Sequence, residues 1–349
     1  MTHLWLRAEE RANERRTPLT PEGAQILIAS GFKVTVEDSI DRCISTQAFS
    51  DSGCNIVEKG TWRKAPADAI ILGLKELPDD GTSLPHTHIM FGHAFKGQPD
   101  GPALLRRFKD GGGTLLDLEY LTEDSGRRLV AFGYWAGFAG AAVSLLAWAA
   151  QQTGKVCPAV SVYDSEAAIA DHVRHALGGA TPTAIVIGAL GRVGTGARDM
   201  CTRVGVPTTD WDIAETSNGG PFPEVLDHNI LLNCILAGPG CPVFFPKEFV
   251  ALTRKLGVIG DIACDPGSDY NPVPIYDRAT TWAEPVIRVA ENPMLDVMAI
   301  DNLPSLLPAE SSSDFAGQLL PLLETLKNVN DPVWTRARKI FHQKSSELE

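Results

Sequence analysis

The sequence lacks the short patterns that mark several common enzyme and metal-binding classes. It contains neither a Gly-x-Ser-x-Gly segment nor a P-loop, which counts against a hydrolase triad and against a kinase. None of the seven cysteines has Cys-x-x-Cys spacing, so we expect buried, reduced thiols of a cytosolic protein and no zinc ribbon. His86, His88 and His93 lie close together but without a helical i, i+4 spacing, and we predict no metal site.

Positive charge is scarce relative to negative charge. Lysine and arginine number 31 against 43 aspartates and glutamates, which gives a formal net charge of −12 at pH 7. Nucleic acids and anionic membranes bind clustered positive charge, so neither is an expected partner. An anionic small molecule must therefore meet local arginines.

The chain also has no recognisable targeting signal, internal repeat or coiled coil, which favours a cytoplasmic protein. One long uncharged run, Ala131 to Ala150, consists mainly of alanine and glycine, whose burial contributes little per residue. We therefore predict a buried helix between domains rather than a membrane span.

Short apolar strands alternate with helical patterns, and this alternation predicts an α/β fold with parallel sheets covered by helices. A helix is expected to open at Pro21 and another to span Tyr134 to Gln152, and a second sheet should begin at Ala184. The other predicted strands cover residues 3–6, 33–36, 69–74, 88–91, 114–118, 230–235, 257–262 and 286–289.

The length of 349 residues suits two domains of roughly 100 to 200 residues each. Late helical patterns at 315–326 and 333–343 add no βα unit, so we expect them to return to the first domain. The predicted architecture is two Rossmann-like domains separated by an active-site cleft. Residues 1–133 with 305–349 would form one domain, and residues 134–304 the other.

A glycine-rich segment between Ala184 and Asp212 indicates a dinucleotide site. Gly188 would let the chain turn off a strand, Gly191 would let backbone approach a pyrophosphate, and Gly194 would let helix and strand pack closely. Asp212, at the end of the next strand, can accept hydrogen bonds from ribose hydroxyls and would repel a 2′-phosphate, which predicts NAD rather than NADP. An ordinary glycine-rich turn remains the alternative.

Two titratable side chains follow predicted strands in the first domain. Lys75, with Glu76 beside it, and His93 each end an apolar run, where open α/β sheets place their ligands. Both groups suit acid/base chemistry, although a solvated lysine at a loop start has the same pattern. Arg16 and the pair Arg127 and Arg128 are candidate clamps for carboxylates, and solvated surface charge is their alternative.

Several segments occur together in an order that is more specific than any one of them. They are Glu14-Arg-Arg16-Thr-Pro, Gly-Leu-Lys75-Glu, Phe-Gly-His93-Ala-Phe-Lys96, Gly-Arg-Arg128-Leu-Val-Ala-Phe132-Gly, Gly-Ala-Leu-Gly191-Arg192, Trp-Asp212-Ile and Ile-Asp301-Asn-Leu-Pro-Ser-Leu-Leu-Pro. From about Leu4 to Phe341 the chain resembles the NAD-dependent, lysine-forming saccharopine dehydrogenases, relatives of alanine dehydrogenase and of the transhydrogenase NAD domain.

The resemblance implies conversion of saccharopine, NAD and water to lysine, 2-oxoglutarate and NADH. It makes Lys75 and His93 the acid/base pair, and it gives Glu76 and Glu119 the task of moderating positive charge in the substrate site. The implied saccharopine contacts are Arg16, Gln98, Arg128 and Phe132. The implied NAD contacts, added to Gly188, are Arg127, Gly191, Arg192, Asp212, Thr216, Ile262, Asp301, Asn302 and Leu303.

Two positions depart from the resemblance. Val193 stands where fungal members have a cysteine, so Cys234 is expected to have no disulfide partner. The run Ala263-Cys264-Asp265 replaces Ser-Ala-Asp, which weakens any assignment of substrate contacts there. A related opine or amino-acid dehydrogenase and a non-catalytic dinucleotide sensor stay open as alternatives, and a monomer is the favoured oligomeric state.

Overall fold

The computed structural model describes residues 1–328 and 330–348, and the chain divides into two compact units. Unit 1 consists of Met1–Ala131 and Ser311–Glu349, and unit 2 consists of Phe132–Glu310. Each unit contains one six-stranded sheet.

The strands are β1 His3–Leu6, β2 Lys33–Glu37, β3 Asn55–Val57, β4 Ala69–Leu72, β5 Thr87–Met90, β6 Thr114–Asp117, β7 Ala184–Ile187, β8 Thr208–Trp211, β9 Ile230–Asn233, β10 Val258–Asp261, β11 Ile287–Glu291 and β12 Met294–Met298. The α-helices are α1 Pro21–Ala29, α2 Thr46–Asp51, α3 Gly101–Gly111, α4 Gly133–Gln152, α5 Glu166–Leu177, α6 Arg192–Arg203, α7 Ile213–Thr216, α8 Pro308–Glu324 and α9 Pro332–Ser346.

The sheet of unit 1 is parallel throughout, with strand order β3-β2-β1-β4-β5-β6. All residues of β1 are buried, as expected for a strand covered on both faces. The first helix starts where the sequence predicts, because Pro21 fits the first turn and the Thr20 hydroxyl accepts from Gly23 N at 3.1 Å. The strand order reverses between β1 and β4, so the carboxyl ends of these two strands flank a topological switch point.

The sheet of unit 2 has the order β11-β12-β10-β9-β7-β8 and confirms the Rossmann-like prediction, with one correction. Strand β11 runs antiparallel to β12, so this sheet is mixed rather than purely parallel. The sequence predicts a strand at 286–289 but misses Met294–Met298, which follows it in a hairpin. An antiparallel edge strand on an otherwise parallel sheet is common in such folds.

Helix α4 is long and apolar enough to cross a membrane by length and composition alone, but 78% of its most apolar window is buried inside the structure. It packs within unit 2 against α5, α6 and strands of the sheet. Glycines at its crossing with α6 permit this packing. A Cβ on Gly137 would lie 1.8 Å from the Val193 carbonyl oxygen, and one on Gly196 would lie 1.9 Å from that of Tyr134. The predicted role of small residues is therefore confirmed.

None of the seven cysteines forms a disulfide in the structure, Cys234 included. The expected burial is correct for four of them. Cys43, Cys241 and Cys264 are only partly buried.

Candidate functional site

The parallel strands of unit 1 bring the predicted acid/base residues to one edge of the sheet. Lys75 follows β4, His93 follows β5 and Glu119 follows β6. Backbone hydrogen bonds keep these strand ends adjacent, since Phe91 N donates to the Leu74 carbonyl at 2.9 Å. The edge therefore holds two groups able to transfer protons and a carboxylate.

Lys75 is half-buried and lies beside a pair of buried charges that the sequence only partly indicates. Burial opposes ionisation of Glu14, but the charge and hydrogen bonds of Arg16, together with the charge of Lys75, hold the pKa of Glu14 below its usual value. The Lys75 ammonium thus contributes to the electrostatics of a carboxylate far away in the sequence.

Arg16 is 4% exposed and meets Glu14 with two hydrogen bonds, from Nε at 2.8 Å and from Nη2 at 2.6 Å. At least two of its five guanidinium N–H donors are therefore used inside the protein. The sequence motif includes Glu14 but assigns it no role, and its position two residues before Arg16 is the signal that could have indicated the pair.

His93 is exposed and adopts a left-handed backbone conformation with φ of 48°, uncommon for a residue with a side chain. Its ring stacks on Phe91 with centroids 6.3 Å apart. The preceding residue, Gly92, donates its N–H to Asp117 Oδ2 at 3.1 Å, and Asp117 Oδ1 accepts from Glu119 N at 2.9 Å. Asp117 therefore joins the two loops that carry His93 and Glu119.

Asp117 itself is 1% exposed and was missed by sequence reasoning. Burial raises its pKa to about 6, with a smaller contribution from the charge of Glu119, while the two backbone hydrogen bonds and the charge of Arg128 act in the opposite direction. A buried carboxyl of this kind changes its protonation close to neutral pH.

Glu119 pairs with cations at this edge. Its Oε1 lies 2.5 Å from Lys96 Nζ and 3.5 Å from Arg128 Nη1, and Gln98 accepts from Lys96 N at 2.8 Å. The predicted residues Gln98, Glu119 and Arg128 are thus connected through Lys96 or directly.

Glu76 and Arg127 have other surroundings. The Glu76 carboxylate lies 3.5 Å from Arg11 Nη1. Arg127 is exposed, and its Nε donates to Glu123 at 3.1 Å within the same hairpin. Phe132 belongs to unit 2, where it directly precedes α4.

Unit 2 contains a cavity of about 660 Å³ at the carboxyl ends of β7 and β9, where its strand order reverses. Open α/β sheets bind ligands at such a point. Its lining includes glycines of the loop after β7, residues after β9 and parts of α7: Gly188, Gly191, Asp212, Ile213, Thr216, Ser217, Gly219, Cys234, Ile235, Gly238, Pro239, Gly240, Cys241, Pro242 and Phe244.

The three glycines of the loop differ in what a side chain would meet. Gly188 has φ of 86° and turns the chain off β7, and a Cβ on Gly194 would lie 2.1 Å from the Gly188 carbonyl oxygen. A Cβ on Gly191 would meet only that same oxygen, at 3.4 Å. Glycine is therefore required at 188 by the backbone conformation and at 194 by close backbone contact. At Gly191 the missing side chain leaves the exposed side of the loop unobstructed.

Asp212 follows β8, caps α7 and lines the cavity. Oδ1 accepts from Ile213 N and Oδ2 from Leu190 N, both at 2.9 Å, while Glu215 returns a capping bond to Asp212 N at 2.7 Å. The bond to Leu190 ties Asp212 to the glycine-rich loop. The Asp212 carboxylate also accepts from Glu215 N in the capping box, which leaves one lone pair to accept a hydroxyl.

The remaining predicted NAD contacts lie on the same unit except Arg127. Arg192 begins α6 and is exposed, and Thr216 is buried, with its hydroxyl donating to the Asp212 carbonyl at 2.9 Å. Ile262 follows β10, and Asp301 and Asn302 precede Leu303 after β12. Ile262 and Leu303 both face Gly140 of α4, where an added Cβ would lie 2.6 Å and 3.0 Å from their side chains.

Within residues 1–328 and 330–348, no group of three or more metal-ligating side chains comes together. His86 and His88 are buried packing residues. The His88 ring is wedged between Trp62 and Phe108, with centroids 5.1 Å and 5.3 Å away, and burial holds its pKa well below the usual value.

Comparison with known proteins gives a family model and curated relatives. Residues 5–139 match the family described as Alanine dehydrogenase/PNT, N-terminal domain. Saccharopine dehydrogenase (NAD(+), L-lysine-forming) of Schizosaccharomyces pombe is 44% identical over 357 aligned residues, covering 97% of each chain. The protein of the same name from Yarrowia lipolytica is 45% identical over 354 residues, covering 97% of this chain and 96% of its own.

Solved structures show the same fold. An L-alanine dehydrogenase matches 98% of this chain and 100% of its own with a TM-score of 0.71 at 17% identity. A transhydrogenase from Sinorhizobium meliloti matches 96% of this chain and 97% of its own with a TM-score of 0.64 at 16% identity.

Proposed function

Because this chain belongs to the family of NAD-dependent, L-lysine-forming saccharopine dehydrogenases, we propose that it oxidises saccharopine with NAD and water to lysine, 2-oxoglutarate and NADH. The observation that carries this proposal is the carboxyl edge of unit 1, where Lys75 and His93 follow neighbouring parallel strands. A binding module that only senses a dinucleotide has no use for two such groups, and no observation favours a different amino-acid substrate.

The cavity of unit 2 fits NAD. The loop after β7 is clear of side chains at Gly191, and the Asp212 carboxylate stands at the same cavity. Gly188, Gly191, Arg192, Asp212 and Thr216 would hold the cofactor. Arg127, Ile262, Asp301, Asn302 and Leu303 are further proposed contacts. When bound, NAD would accept a hydride from the α-carbon of the glutarate portion of saccharopine, which bears the secondary amine.

Lys75 and His93 would divide the proton transfers that accompany this oxidation. The secondary amine must lose a proton before hydride can leave, which produces an imine. Water then adds to the imine carbon, and collapse of the resulting carbinolamine needs a proton on nitrogen and the loss of one from oxygen. Two groups at one edge can serve these opposite demands, and a single group cannot easily serve every step.

The carboxylates of saccharopine require cations, and unit 1 supplies arginines whose positive charge is partly offset by nearby carboxylates. We assign Arg16, Gln98, Arg128 and Phe132 to substrate binding. Glu119 is already paired with Lys96 and Arg128, so it offsets part of the positive charge of the edge. Glu76 would do the same near Lys75.

Three coarser features belong to the same proposal. Unit 1 would be the substrate and catalytic domain and unit 2 the NAD-binding domain. The sequence-based bounds of 1–133 with 305–349 and 134–304 differ from those of the two units by two residues at one boundary and six at the other. A cytoplasmic location suits seven cysteines free of disulfides. We propose a monomer, which sedimentation of the purified protein can test.

Oxidation of NADH in the presence of 2-oxoglutarate and a panel of amines tests the activity. We expect rapid loss of NADH absorbance with lysine and little with ornithine, alanine or ammonia. Faster turnover of pyruvate with ammonia would favour an alanine dehydrogenase. Tight NADH binding without turnover of any pair would favour the sensor.

A further inference from the structure

The carboxyl end of β1 carries an ion pair, Arg7 and Glu9, whose side chains are 0% and 7% exposed. Arg7 Nη1 lies 3.4 Å from Glu9 Oε2. The pair occupies the switch point of the unit 1 sheet, between the ends of β1 and β4. A small cavity of about 10 Å³ adjoins it, too small for any ligand larger than one water, so the pair itself does not form a binding pocket.

The backbone around Lys75 explains what the pair does. As far as Leu74, the chain is held by neighbouring strands: Gly73 N donates to the Ile89 carbonyl at 3.0 Å and the Leu74 carbonyl accepts from Phe91 N at 2.9 Å. Beyond these bonds, three polar groups need other partners, namely Leu74 N, Lys75 N and the Lys75 carbonyl.

The ion pair satisfies all three of them. Glu9 Oε1 accepts from Leu74 N at 2.7 Å and Oε2 accepts from Lys75 N at 3.0 Å. Arg7 Nη2 donates to the Lys75 carbonyl. Hydrogen bonds to ionised groups are stronger than neutral ones, so the backbone of Lys75 is held on both its donor and its acceptor side.

The chain leaves room for the pair at one position. A Cβ on Gly73 would lie 2.4 Å from Arg7 Nε and 2.7 Å from the central carbon of the guanidinium. The absence of a side chain at Gly73 therefore lets Arg7 lie flat against the end of β4 and reach the Lys75 carbonyl.

We propose that Arg7 and Glu9 are positioning residues that fix the backbone of Lys75 so that its ammonium is presented at the carboxyl edge. This inference rests on the proposed catalytic role of Lys75. Neither side chain needs to touch the substrate, and their effect on turnover passes through Lys75.

Replacing Glu9 with Gln tests the proposal. The amide oxygen can still accept from one of the two backbone N–H groups, but the amide NH2 would face the other, and two donors cannot form a hydrogen bond. Misplacement of a reacting group by about 1 Å can cost up to about 100-fold, so we expect Glu9→Gln to lower kcat by roughly 10- to 100-fold with little change in NADH affinity. Asp296→Asn is the matched control: Asp296 is a fully buried carboxylate of β12, bonded to Gln151 and Arg288, and its variant should retain kcat.

The double variant separates positioning from general loss of structure. If Glu9 acts through Lys75, Glu9→Gln should change the residual rate of Lys75→Met by less than about twofold, because groups that act as a unit are not additive. The proposal is overturned if Glu9→Gln lowers kcat by the same factor in wild type and in Lys75→Met. It is also overturned if Glu9→Gln keeps kcat within twofold of wild type while Lys75→Met is impaired. If Lys75→Met itself stays within twofold of wild type, the catalytic role of Lys75 fails and the positioning role fails with it.

Gly73→Ala provides a second route should Glu9→Gln not fold. The added methyl must displace the Arg7 guanidinium, so the same loss of kcat and the same lack of additivity with Lys75→Met are expected. A Gly73→Ala variant that folds and retains full turnover contradicts the proposal.

Discussion

We propose that cofactor choice depends on Asp212. Its carboxylate caps α7, holds Leu190 of the glycine-rich loop and faces the cavity, so a 2′-phosphate there would meet both negative charge and an occupied hydrogen-bond network. We expect the wild type to favour NAD over NADP, and Asp212→Ala to weaken NAD binding and narrow that preference. The ratio of catalytic efficiencies with NAD and NADP measures this preference. The control is Asp227→Ala, which removes an exposed carboxylate of the same unit. Equal efficiencies in the wild type would remove Asp212 from this role.

Lys75 and His93 allow a test of shared proton transfer. A single positioned acid/base group is worth about 100- to 10,000-fold, so Lys75→Met and His93→Gln should each reduce turnover by such a factor while NADH binding stays near normal. The double variant should be less impaired than the product of the two losses.

Steady-state rates and NADH fluorescence titrations provide these values, with Arg106→Ala on the exposed face of α3 as the control. If both single variants kept turnover within about twofold of wild type, the pair would not be the acid/base machinery.

At the scale of elements, the crossing of α4 and α6 depends on backbone contact. Gly137→Ala would place a methyl 1.8 Å from the Val193 carbonyl oxygen, which must force the helices apart. Overpacking of this kind typically costs about 1 to 3 kcal/mol, and we expect thermal unfolding at lower temperature. Gly317→Ala in α8 is the matched control: a Cβ there meets nothing within 4 Å, so it should stabilise by about 0.5 to 1 kcal/mol. A Gly137→Ala variant as stable as wild type would contradict this account of the crossing.

The same elements show what a sequence can predict. Strands β1, β7 and β9 are apolar runs buried on both faces, so their positions are visible in the residue pattern and were predicted within about two residues. The three-residue β3 and the helix α3 went unpredicted. The first is too short to show a pattern. The second has a helical pattern, with Leu104, Leu105 and Phe108 buried on one face, that the sequence analysis did not identify.

The sequence indicates the proposed site residues only where the position of one residue suggests its role. Lys75, His93 and Asp212 stand at strand ends, and the glycines have a recognisable spacing. Glu9 and Asp117 also lie near strand ends, but their partners cannot be read from the sequence: Glu9 binds the backbone of Leu74 and Lys75, and Asp117 binds that of Gly92. These partners are distant in sequence and meet only when the sheet forms.

At the scale of the whole molecule, Asp117 links stability to pH. Its pKa of about 6 in the folded protein lies above the unfolded value, so the folded state binds the proton more tightly. The stabilisation from this group is complete below about pH 4 and is lost as pH rises through about 6.

Relative to Asp117→Asn, the wild type should therefore lose about 2 to 3 kcal/mol of unfolding free energy across that range, at about 1.4 kcal/mol per pKa unit. Denaturant titrations at a series of pH values measure the difference, with the exposed Asp110→Asn as the control. A difference that does not vary with pH would show that Asp117 titrates normally.

The most direct test of the central claim is the product balance of saccharopine oxidation. Purified protein is incubated with saccharopine and NAD, and NADH is followed by absorbance while the products are quantified by mass spectrometry. We predict one lysine and one 2-oxoglutarate for each NADH formed, because hydride leaves the α-carbon of the glutarate portion. Formation of glutamate with a lysine-derived aldehyde, or no NADH at all from a protein that binds NAD, would contradict the account.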